Sequence, residues 1–208
     1  NVFFDANSFS SAGQTVMNNL PRAYCRDMNW TGVSNSPTFD NQDTKAWMEI
    51  YGSLTFSPAM TNAHDAPFLF GARTTGHTVT TANHGFLWHV SFDGVGGSWT
   101  LQDSLKISRQ FYLVNGAFHS NNQYIRAISM ISDYYNDREL DLSASHVVLS
   151  GSGTVFNVWP SQASGTDTTM TWVPGTSLIE VTQGSTTVNS YFDPGRVFHN
   201  ILFSNPIG

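Results

Sequence analysis

The sequence predicts an all-β chain wound as a solenoid, and three observations carry that prediction. Apolar and polar residues alternate over many short runs, which is the pattern of extended chain with one face buried. Apolar residues at the helical spacing of three and four are hard to find. A longer apolar unit also recurs along the chain, as in folds whose successive coils bury their faces only against each other.

The alternation is clearest in the middle of the chain. Met48, Ile50, Leu54 and Phe56 hold alternate positions, with Gly52 in the remaining slot. Trp99, Leu101, Leu105, Ile107, Phe111 and Leu113 keep one parity, and Asp103 and Arg109 interrupt it where such a chain would turn a corner. Leu140 and Leu142 repeat the pattern, as do Val147 and Leu149. Hairpin signals are weak: Asp93-Gly94 and Asn115-Gly116 are present, but few runs are joined by a clean two-residue turn. The glycines at 94–97 and 151–153 read as turns between strands, and the polar stretch 161–169 as an outward loop. Cys25–Gly32, Leu87–Gly94 and Phe198–Asn205 overlay with a bulky or apolar residue at places one, four and six. Their spacing predicts one continuous segment over 1–208, with units at 1–86 and 87–197 and a further unit beginning at 198–208, each holding several coils. The competing architecture is a two-sheet β-sandwich with antiparallel neighbours.

Composition narrows the function. The chain has 208 residues, nine Lys plus Arg against fifteen Asp plus Glu, and a formal charge of −6. A mild acidic balance argues against nucleic acid or an anionic membrane as partner. No apolar run approaches the roughly 18 residues of a membrane-spanning helix. Six Trp, seven Tyr and fifteen Phe demand a folded interior. Cys25 is the only cysteine, so it forms no intrachain disulfide and reads as a small buried hydrophobe. A start at Asn1, without Met or a signal-peptide pattern, suggests a mature or internal piece of a longer precursor.

A succession of short segments resembles a known family. Val2-Phe3-Phe4-Asp5-Ala6-Asn7-Ser8-Phe9, then 25–32, then Ile50-Tyr51-Gly52-Ser53-Leu54-Thr55-Phe56 are similar to large secreted surface proteins of Bacteroidetes. So are Trp99-Thr100-Leu101-Gln102-Asp103, Asn115-Gly116-Ala117-Phe118, Asn121-Asn122, Leu140-Asp141-Leu142-Ser143-Ala144-Ser145 and Leu149-Ser150-Gly151-Ser152-Gly153. The resemblance implies a right-handed parallel β-helix, export by type IX secretion, and an extracellular or cell-surface location. In such a fold apolar residues stack in inward rows, while Asn and Gly occupy corners that need left-handed backbone.

Standard catalytic signatures are missing: the sequence has no His-Glu-x-x-His, no Gly-x-Ser-x-Gly, no phosphate-binding Gly-Lys-Ser/Thr and no dinucleotide glycine fingerprint. His64, His77, His84 and His89 invite a metal, but nothing in the sequence makes them converge, and no cofactor is expected. Asp5, Asp27, Asp40 and Asp193 stand apart, without calcium-loop spacing. The richest polar cluster is Asp133-Tyr134-Tyr135-Asn136-Asp137-Arg138-Glu139, followed by Asp141. Asp133, Tyr134, Tyr135, Asp137 and Arg138 are the candidate ligand surface: acids, an Arg and two tyrosines suit a sugar. Trp30, Trp88, Trp99 and Trp159 read mainly as core. Ser104 and Thr168 sit in the triplets Asp103-Ser104-Leu105 and Asp167-Thr168-Thr169, which resemble the short Asp-Ser/Thr pattern on which Bacteroidetes attach O-glycans.

The function expected from all this is a non-enzymatic, adhesin-like surface segment presenting loops to glycans, cells or matrix. Its partners would be polysaccharide or cell-surface glycans and the secretion machinery of the parent protein. The alternatives are a polysaccharide lyase or glycoside hydrolase acting through the 133–141 acids, and a carbohydrate-binding module with tryptophan rings exposed in a row.

Overall fold

A computed structural model describes residues 1–42, 46–158, 169–184, 186–189 and 197–205. Among these residues there is no helix, and the chain winds as a parallel β-solenoid of about eight turns. The sandwich with antiparallel neighbours is excluded. Each coil offers three strand positions in a fixed order, and backbone hydrogen bonds join each strand to its counterpart one coil away.

The first face stacks Val2–Phe3, Met28–Asn29, Leu54–Thr55 and His77–Thr80, then the second half of Val90–Leu101 and of Gln110–His119, then Arg138–Asp141 and Met170–Val173. The second position is filled by two ladders. Thr15–Asn18, Thr38–Asn41 and Thr61–Asn62 form one, and Leu105–Lys106, Ile125–Ala127, His146–Leu149, Leu178–Val181 and Asn200–Phe203 the other. The third face runs through Arg22–Cys25, Trp47–Ile50 and Phe68–Phe70, the first halves of the two long strands, Ser129–Ile131, Gly153–Asn157 and Thr186–Asn189.

Register gives the true period. Val2, Met28, Leu54, Val79 and Leu101 form one column, with steps of 26, 26, 25 and 22 residues. A neighbouring column, Trp99–Phe118–Leu140–Trp172, steps by 19, 22 and 32. The repeating unit is thus the coil and not the longer segment overlay. Cys25–Gly32 spans the corner from third to first face, Leu87–Gly94 enters the third face, and Phe198–Asn205 lies in the second ladder. The three segments share an apolar pattern because all alternate in and out, not because they occupy equivalent places.

The inward columns make one continuous core. Met48, Phe68, Val90, Phe111, Met130 and Phe156 line the third face, all essentially buried. Phe92 packs at 4.8–5.5 Å ring separation against Phe70, Trp99, Phe111 and Phe118. Such a set of aromatic contacts ties successive coils together, since Phe92 meets Phe70 of the coil before it and Phe111 of the coil after it. Cys25 is buried as expected, and burial pushes its thiol up to about 11, which keeps it unreactive.

The corners follow the polar interruptions. Asp103 turns the chain from the first face to the second: its carboxylate accepts the Thr81 amide and hydroxyl and the Ala82 amide of the previous coil. Arg109 stands at the next corner, immediately before Gln110–His119. Left-handed backbone recurs between the first and second faces, at Asn35, Ala82, Asn83, Asn121, Asn122, Ser143 and Gly175; Asn is the non-glycine residue most at ease there. The glycines at 94–97 lie within one strand, Val90–Leu101, where the register against Gln110–His119 shifts. A β-carbon on Gly97 would fall 2.1 Å from the Ala72 carbonyl oxygen, so this corner admits only hydrogen there.

His64 is a titratable group set among the core rings. It is wholly enclosed, stacked on Phe39 at 5.0 Å and edge-on to Phe68 at 4.8 Å. Its Nε2 lies 3.4 Å from the Asn18 amide nitrogen. Burial holds its pKa down to about 4.

Two outcomes follow from this core. Phe92→Ala removes the ring that packs on four others and should cost about 3–5 kcal/mol in urea unfolding; a loss under 1 kcal/mol would contradict the packing. The unfolded chain protonates His64 near pH 6.5 while the folded chain resists until about pH 4. Stability should therefore be full above pH 6.5, fall by roughly 3 kcal/mol as the pH drops to 4, and level off below. His64→Gln should flatten that limb.

Candidate functional site

The predicted cluster at 133–138 follows the third-face strand Ser129–Ile131 and splits in two. Asp133 and Tyr134 join Tyr112 and Asp93 from earlier coils. Burial, then the Asp133 charge, raises the pKa of both tyrosine hydroxyls. Asp93 accepts a hydrogen bond from the Asn115 side chain at 2.6 Å. Tyr135 and Asp137 are exposed. Arg138 is different and leaves the candidate surface: only 3% exposed, it donates Nε to the Ser132 carbonyl and hydroxyl, Nη1 to the Asn136 carbonyl and to Thr169, and Nη2 to the Ser132 carbonyl. It staples the turn that holds the others.

The remaining sequence candidates scatter. Ser104 is half-buried at the Asp103 corner, where its carbonyl accepts the Thr81 hydroxyl. Thr168, Trp159 and Asp193 lie outside the described residues. His84 donates to the Ser57 carbonyl, and His77 shares a hydrogen bond with Thr74. Among the described residues no group of three or more His, Cys, Asp or Glu is placed to hold a metal ion. Asp5 and Asp27 cap backbone amides of Asn7 and Ser53.

A site that sequence reasoning missed lies on the third face. Met48, Val90 and Phe111 point inward, so their neighbours Trp47, His89 and Tyr112 point outward. His89 meets Trp47 edge-on at 5.8 Å and Tyr112 at 5.7 Å. The result is a half-exposed aromatic ridge that runs obliquely across the coils, with Trp47 and His89 just before the core column and Tyr112, in register with Ser91, just after it. Burial lowers the His89 pKa, which favours the neutral ring. One end is braced: Arg22 pairs with Glu49 at 2.6 Å and lies over the Trp47 ring, and Glu49 also accepts the Tyr51 hydroxyl at 2.8 Å. That last bond is the main cause of a raised Tyr51 pKa. At the corner leading to the ridge, Trp88 is half-exposed with Arg109 stacked 4.7 Å above it. Trp30 and Trp99, by contrast, are wholly buried.

Around that corner a groove of about 320 Å³ opens on the second ladder. Gly85, Ser108 and Ser150 leave the space, Ile128 gives an apolar wall, and Lys106 and Arg126 flank it. The lining holds no carboxylate, so general acid–base hydrolysis has no acid pair there. Stacked rings, a guanidinium on an indole and a cationic groove together offer flat apolar faces beside hydrogen-bond donors and positive charge. The ridge was illegible without the coil length, because Trp47, His89 and Tyr112 stand 42 and 23 residues apart.

Arg138→Ala should cost about 3 kcal/mol by stranding buried partners, whereas Asp137→Ala should change stability by less than about 0.5 kcal/mol. Equal losses in thermal unfolding would contradict the division drawn between them. No protein-family model, curated protein or solved structure matches this chain.

Proposed function

We propose that the chain is a non-enzymatic, adhesin-like segment of an extracellular surface protein, and that it holds polysaccharide on the third face of its solenoid. The observation that carries this reading is the ridge of Trp47, His89 and Tyr112, continued at the corner by Trp88 under Arg109. Large rings left half-open on a rigid ladder are costly to hydrate, and a sugar face covers them without demanding a deep pocket. The parallel coils suit such work because they fix the rings at multiples of about 4.8 Å along one axis. The likeness of the short segments to secreted Bacteroidetes proteins supports the cell-surface setting and type IX export. No helix among the described residues is long and apolar enough to cross a membrane.

An enzyme reading draws on Asp93 and Asp133 beside Tyr112 and Tyr134. The raised tyrosine pKa values oppose a tyrosinate base, and the cationic groove lies elsewhere on the coil. Incubation with a polysaccharide panel should therefore yield no product; turnover abolished by Asp133→Ala or Asp137→Ala would overturn the non-enzymatic reading. Binding should quench and shift tryptophan fluorescence, with Trp47→Ala and Trp88→Ala each weakening affinity about tenfold and leaving the melting temperature in place. A panel that leaves the fluorescence unchanged would defeat the glycan reading.

A further inference from the structure

Lys106 and Arg126 are paired in register on adjacent coils, next to each other across the ladder. Adjacent strands are about 4.8 Å apart, so two like charges stand side by side on one face. Like charges directly opposite each other weaken a sheet unless an anion lies between them. Among the described residues no anion does so: both side chains are exposed, and neither has an ion pair there. The nearest carboxylate of the same column, Glu180, is two coils beyond Arg126 and is engaged by His146 at 2.7 Å and by the Ser204 hydroxyl. In a chain with only nine Lys and Arg and a net charge of −6, two unpaired cations bordering one groove form a local reversal of sign.

We propose that this groove binds the carboxylates of an acidic polysaccharide, one built from uronic-acid units. The inference rests on the glycan reading above and names its substrate class. Lys106 supplies a point charge and Arg126 a planar fork, the pair of donors that suits a carboxylate. Ser108 and Ser150 offer hydroxyls to the sugar's own hydroxyls, and Ile128 packs on its carbon face. A volume of about 320 Å³ takes a sugar unit but not a folded chain. The groove also ends one residue from Arg109, which caps Trp88, so a polymer leaving the groove meets the aromatic corner. Nucleic acid is disfavoured because two cations on an acidic protein neutralise too few phosphates.

The test is titration calorimetry of the intact chain with an oligomer of galacturonic acid, in parallel with the same oligomer after reduction of its carboxylates to alcohols. The uronate should bind at least about tenfold more tightly than the reduced oligomer, and added salt should erase most of the difference. Lys106→Gln and Arg126→Gln should each reduce uronate affinity about tenfold and leave the reduced oligomer unaffected, with unchanged melting confirming an intact fold. Equal affinity for the two oligomers, or a Lys106→Gln/Arg126→Gln double variant that binds uronate normally, would overturn the acidic class while leaving the aromatic ridge standing. Poly-glutamate bound as tightly as the uronate would overturn the sugar as the source of the carboxylate. Failure of both oligomers to bind would overturn the uronate class, and the glycan reading falls with it when the wider polysaccharide panel also leaves the tryptophan fluorescence unchanged.

Discussion

Every feature of this protein depends on backbone hydrogen bonds that run from coil to coil in parallel register. A single coil has three short strands and no partner within itself, so it satisfies its amides and buries its apolar face only when another coil lies against it. The Val2–Met28–Leu54–Val79–Leu101 column is the consequence: each member covers the one before and waits for the one after. Stability is therefore a sum of neighbour contacts along one axis, and no disulfide is needed to close the structure.

The same ladder explains how function is built. Inward columns are fixed by burial, so the outward residues that flank them on successive coils are brought together without any further device. Trp47, His89 and Tyr112 make a ridge because Met48, Val90 and Phe111 make a core. Lys106 and Arg126 meet because Leu105 and Ile125 stack beneath them. Polar corners complete the scaffold: Asp103 ties two coils through Thr81 and Ala82, and Arg138 holds the turn that carries Asp133, Tyr134 and Tyr135.

Much of the architecture was legible in the residues. Alternation from Trp99 to Leu113 marked the strands, and its breaks at Asp103 and Arg109 fell at the two corners of that coil. The coil length was not legible. It varies from 19 to 32 residues, and Val90–Leu101 and Gln110–His119 each pass from one face to the next as one strand, with only a shift of register at the corner. Without that length, residues 20 to 42 positions apart give no sign that they are neighbours, which hid both the ridge and the cation pair. The 133–138 cluster was found by its chemistry, yet Arg138 was misplaced because its partners Ser132 and Thr169 are set by tertiary contact. A motif of fixed spacing would have signalled either site; steps of changing length do not.

The most direct test of the whole account is nuclear Overhauser contact between backbone protons of successive coils. Met28, Leu54 and Val79 should show the inter-strand contacts of parallel pairing, each to the next member of its column. Close Hα–Hα contacts of antiparallel pairing at these residues, or none joining positions about 25 residues apart, would contradict it.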